Sequence, residues 1–99
     1  MDTSVLREIE NWEFEHTEHI CYWTRECPDE TDPDHWKGFA LTISEKSDNH
    51  FQVSINIMFD GGGGDVLNSN KYSDTTTTLS EAMDIGETYV QQLEDEYGL

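Results

Sequence analysis

The chain has 99 residues, with 22 Asp and Glu against five Lys and Arg and a formal net charge of −17. That length allows one domain with one modest core, and three Trp, four Tyr and four Phe are too many for a disordered polyanion. No apolar run approaches the roughly 18 residues of a membrane span, and no basic-then-apolar leader opens the chain, so a soluble cytoplasmic protein is expected.

The first ten residues are compatible with a short helix, capped by Asp2, Thr3 or Ser4 and apolar along Val5, Leu6 and Ile9. Residues 12–25 alternate, as one long strand or two broken ones. Ile20, Tyr22 and Thr24 then point one way, and His19, Cys21, Trp23 and Arg25 the other. The apparent core stripe of this segment is the first set, which leaves Trp23 on the opposite face. Glu26–Asp34 (ECPDETDPD) is an acidic loop broken by two prolines. Cys21 and Cys27 flank its start. On an extended chain they stand roughly 20 Å apart, too far to bridge, so a reduced compartment is the simpler reading.

Residues 36–45 form the next strand, with Phe39, Leu41 and Ile43 on one face and Trp36 on the other. Lys46–Asn49 is a turn. Residues 51–59 alternate strictly: Phe51, Val53, Ile55, Ile57 and Phe59 face a core, while Gln52, Ser54 and Asn56 face water. One covered and one wet face is the behaviour of an antiparallel sheet. Gly61–Gly64 is a break, and a short strand follows around Val66–Tyr72. Thr78-Leu79-Ser80-Glu81 fits a capping box. Leu79, Ala82, Met83, Gly86, Tyr89, Val90, Leu93 and Tyr97 then recur at helical spacing, opposite Glu81, Asp84, Glu87, Gln91, Glu94 and Asp95. The expected fold is α+β: a three- to four-stranded antiparallel sheet with a C-terminal helix on one face, in a single domain spanning 1–99.

No motif indicates catalysis, so the protein is not expected to be an enzyme. Asp60–Asp65 (DGGGGD) lacks the Gly-Lys-Ser/Thr ending of a phosphate loop, and its two aspartates would repel a phosphate. His16, His19, Cys21, Cys27 and His35 do not show the close pairing that zinc sites use, so no metal and no cofactor is expected. Trp23 and Trp36 read better as structural than as exposed anchors.

The charge is the remaining signal. Even with every base paired, at least 17 carboxylates lack a cationic partner, a self-repulsion that high salt or a cationic partner must offset. A domain of this size is roughly 30 Å across. B-DNA presents about 18 charges over that length, comparable to the chain's −17. Carboxylates three or four apart on a helix stand about 5–6 Å from one another, near the spacing of phosphates. The partner-binding candidates are therefore Glu26, Asp29, Glu30, Asp32 and Asp34 in the loop and Glu81, Asp84, Glu87, Glu94 and Asp95 on the helix. Glu8, Glu10, Glu13, Glu15 and Glu18 form a third acidic group.

The small size, the segments ECPDETDPD and QQLEDEYGL, and the one-helix, one-sheet plan resemble phage-encoded anti-defence proteins, among them acidic anti-CRISPR proteins and other DNA mimics. The resemblance is one of composition and architecture and assigns no individual residue a role. It implies an inhibitor in the host cytoplasm that occupies the nucleic-acid site of a nuclease or surveillance complex. Such an inhibitor binds a basic nucleic-acid-binding protein, makes no direct contact with nucleic acid or membrane, and leaves room for a homodimer. The alternative is a halophile's small binding protein, whose acidic, lysine-poor surface keeps it solvated in molar salt; only two alanines fit that reading less well.

Overall fold

The computed structural model describes residues 2–26, 36–60 and 66–98. A 3₁₀ turn at Thr3–Val5 precedes β1 (Glu13–His16), β2 (Ile20–Glu26), β3 (Trp36–Ser47), β4 (His50–Asp60), β5 (Val66–Thr76) and α1 (Leu79–Tyr97). The strands pair antiparallel in the order β1-β2-β3-β4-β5, a simple meander, and α1 lies across one face. The α+β expectation holds, with five strands rather than three or four.

One local feature raises the count and another lengthens a strand. Residues 12–25 break into two strands at Thr17, whose amide donates to the Ile20 carbonyl at 2.7 Å and closes a turn. β5 runs on to Thr76 instead of ending near Tyr72. Its second half is too polar to read as a strand in isolation, because it forms a sheet edge where, of the residues facing the covered side, Tyr72 and Thr76 are sheltered but Asp74 stays exposed.

One face of the sheet carries the core. Register places Phe14, Trp23, Leu41, Ile55 and Tyr72 in one row and Cys21, Ile43 and Val53 in the next. This reverses the reading of β2. Cys21 and Trp23 are fully buried, while Ile20 is 41% exposed. Trp23 belongs to the main core, where it stacks on Phe14 at 4.8 Å between ring centroids. Trp36 opens β3, and its side chain lies outside the described part.

A helix is about 10–12 Å wide, whereas five strands span roughly 19 Å, so α1 alone cannot cover the core face. Leu79, Ala82, Met83, Gly86, Val90 and Leu93 pack over the β3–β5 side. The segment 2–12, here called the arm, covers the remainder with Leu6, Ile9 and Trp12. The short helix expected there is reduced to one 3₁₀ turn, capped by Asp2, which accepts from the Ser4 amide at 3.0 Å. The Trp23 indole N–H donates to the Arg7 carbonyl at 3.1 Å and ties the arm to the sheet.

Helix α1 begins as its capping residues require: Thr78 Oγ1 accepts from the Glu81 amide at 3.1 Å. It ends at Gly98, whose φ of 69° suits the left-handed C-cap. Gly86 lets the helix approach the sheet, since a Cβ there would stand 3.1 Å from Leu41 Cδ2.

Candidate functional site

Six acids line the outer side of α1: Glu81, Asp84, Glu87, Glu94, Asp95 and Glu96. The arm runs beside them and adds the exposed Asp2, Glu8 and Glu10. Helix and arm therefore form one acidic layer on the covered side of the sheet. This brings Glu81, Asp84, Glu87, Glu94 and Asp95 together with the arm glutamates. Glu26 is not part of the layer; it ends β2 in register with Gly38, on the opposite side of the sheet. Asp29, Glu30, Asp32 and Asp34 lie outside the described residues, as do Cys27, His35 and the Gly61–Gly64 break.

The helix carboxylates differ in how free they are. Arg7 clasps two of them, bonding Asp84 Oδ1 at 2.5 Å and pairing with Glu87. The hydrogen bond to Asp84 holds the Arg7 pKa above its ordinary value. Glu94 accepts from the Trp12 indole at 3.3 Å, and Asp95 from the Gln91 amide at 3.0 Å. Lys71 reaches Glu96 at 2.8 Å, which raises the lysine's pKa. These contacts position the acids but leave the layer strongly negative, because nine acids face two bases. Sequence reasoning gave Arg7 no role. The only signal was an isolated base within an acidic N-terminal run, and the clasp depends on contact between segments 77 residues apart.

The other side of the sheet is different in kind. Between the Ala40–Asn56 and Ser44–Gln52 pairs, β3 and β4 present only Ala40, Thr42, Ser44, Gln52, Ser54 and Asn56. Asn70, Ser73 and Thr75 continue these rows on β5. Asn70 donates to Asn56 at 3.2 Å and Gln52 to Ser73 at 3.4 Å. Among the described side chains, acids return on this face toward one border: Glu13 and Glu15 on β1, where Glu15 accepts from the Tyr22 hydroxyl at 2.7 Å, and Glu26. The hydrogen bond to Glu15 raises the Tyr22 pKa.

Of the residues weighed as metal ligands, His16, His19 and Cys21 are described, and each has a contact of its own. His16 stacks on Phe14, His19 hydrogen-bonds Glu45 at 3.0 Å, and the Cys21 Sγ lies 3.6 Å from the Ile43 carbonyl. Among the described residues no group of three His, Cys, Asp or Glu is placed to hold a metal ion. No helix among them is long and apolar enough to cross a membrane.

Burial pushes the Cys21 thiol from 9.0 up to about 11. The folded chain thus holds this proton more tightly than the unfolded chain, so its contribution is fully present below about pH 9 and lost as the pH rises toward about 11. Cys21 is expected to resist iodoacetamide at about pH 8 until the protein unfolds. Peptide mass spectrometry with and without denaturant checks this, and rapid labelling of native Cys21 would contradict the burial. No family model, curated protein or solved structure matches this chain.

Proposed function

We propose that the protein is a non-enzymatic inhibitor whose acidic helix-and-arm layer occupies the nucleic-acid site of a basic host defence complex or nuclease. The observation that carries this reading is the segregation of charge. Carboxylates crowd the helix side, while the central rows of the opposite sheet face hold none. A coat that served solvation alone would have no reason to spare one face. A directional acidic surface gains affinity for a basic groove through steering and counterion release, as a phosphate backbone does.

The test is retention of host-lysate proteins on the immobilised chain, followed by elution with salt and with duplex DNA. Proteins that bind DNA are expected to be retained, to elute between low and physiological salt, and to be displaced by DNA. The triple substitution Glu81→Lys, Asp84→Lys, Glu87→Lys is expected to weaken binding at least about tenfold, the equivalent of about 1.4 kcal/mol. Arg7→Ala is expected to strengthen it by releasing Asp84 and Glu87 from their clasp. A retained partner indifferent to both DNA and salt would overturn the proposal.

A second reading, halophilic adaptation of a small binding protein, is favoured by one observation. Acids also occupy the sheet's borders, at Glu13, Glu15, Glu18 and Asp48, beyond any single binding face. It predicts that the melting temperature climbs steeply into molar salt. A cooperative melt with an ordinary midpoint at low salt would count against it.

A further inference from the structure

We propose that the uncharged sheet face is a self-association surface that packs against the same face of a second copy of this chain. The central residues Thr42, Ser44, Gln52, Ser54 and Asn56 are half-buried although no described residue packs over them. Cross-strand side-chain hydrogen bonds hold Gln52 and Asn56 in place, so this part of the surface is pre-organised. Ile20, 41% exposed, and Tyr22 extend it with apolar surface.

Charge selects the occupant. Two chains of −17 repel wherever their acidic surfaces meet, and these central rows let them approach without opposing carboxylates. A basic partner would gain nothing from these rows. Nucleic acid would be repelled by the charge around them. The available area is sufficient for a weak dimer. Strands β2–β5, about 4.8 Å apart and about seven residues deep, with the four residues of β1, cover roughly 500 Å² per copy, or about 1,000 Å² in total, at the roughly 1,000 Å² that a specific interface needs.

The border acids fix the symmetry. A twofold axis perpendicular to the strands would set β1 over β1, and Glu13 and Glu15 against their own copies. An axis along the strands sets β1 over β5, where Asn70, Ser73 and Thr75 can receive them. The sheets then pack face to face in the aligned manner of a sandwich. This arrangement does not rest on the acidic layer's role, because the two surfaces lie on opposite sides of the sheet.

Sedimentation equilibrium on the full chain tests the proposal across a salt series. The dimer is expected to tighten as salt rises, because screening weakens like-charge repulsion, whereas binding of a basic protein weakens. Thr42→Glu and Ser54→Glu, each placing two carboxylates at the dimer centre, are expected to weaken the dimer at least about tenfold, with circular dichroism confirming that each variant is folded. Should a variant unfold, concentration-dependent amide chemical shifts in the unaltered chain provide the second measurement, expected at Ser44, Ser54 and Asn56. A monomer at about 1 mM protein and about 1 M salt overturns the proposal. So does a dimer that ignores both substitutions or whose shifts fall on the helix layer.

Discussion

Trp23→Ala is expected to remove about 3–5 kcal/mol of folding stability, the range for deleting a large buried aromatic. Trp23 is fully buried, stacks on Phe14 and holds the arm through its bond to the Arg7 carbonyl. Its loss therefore opens a cavity and also loosens the arm over β2. A domain of this size has roughly 5–15 kcal/mol in total, and the repulsion among its carboxylates reduces that margin at low salt. The variant is expected to populate unfolded chain in dilute buffer and to recover as salt is added. Trp23→Phe separates the contributions: it keeps an aromatic against Phe14 but leaves the Arg7 carbonyl without its donor, at a cost of about 1–3 kcal/mol. Urea denaturation followed by far-ultraviolet circular dichroism measures both, and an unchanged midpoint for Trp23→Ala would contradict the observed facing of β2.

Gly38→Ala is expected to cost about 1–3 kcal/mol for backbone conformation alone, with a steric term added. Gly38 has φ of 157°, and a Cβ there would fall within 2.3 Å of the Arg25 carbonyl oxygen and 3.0 Å of Glu26 Cα. Both are backbone atoms of β2, so the strand itself must move. The irregular register between Trp36 and Gly38 marks the same point. Hydrogen exchange is expected to speed up at Arg25, Glu26 and Phe39 while β4 and α1 stay protected. Uniform protection in the variant would show that the strands absorb the methyl group. Gly86→Ala supplies the contrast. Its Cβ would meet the Leu41 side chain at 3.1 Å, a contact that can yield. Alanine also gains about 1 kcal/mol of helix propensity, so the net change is expected to be small.

The gains and losses of sequence reading follow one physical line. Local chemistry marked α1, because Thr78 caps it and its apolar positions recur within a single element. It marked β4 equally well, since strict alternation of large apolar residues with Gln52, Ser54 and Asn56 leaves one possible facing. In β2, both faces carry apolar groups, Ile20 and Tyr22 on one and Cys21 and Trp23 on the other. Periodicity defines two faces there and cannot rank them; the pairing of Trp23 with Leu41 does. Edge strand β5 reads short from sequence for the related reason that an edge needs few apolar residues.

The charge follows the same division. Composition determines that this chain carries an acid excess its bases cannot neutralise, and the order of its residues marks an antiparallel sheet with one capped C-terminal helix. Only the tertiary structure decided where that excess resides. The arm docks beside α1 because a helix is narrower than five strands. That docking gathers the N-terminal glutamates, the helix acids and Arg7 into one layer and leaves the sheet's other face uncharged at its centre. Such a separation arises from contacts between residues far apart in the chain, which no local pattern of charges encodes.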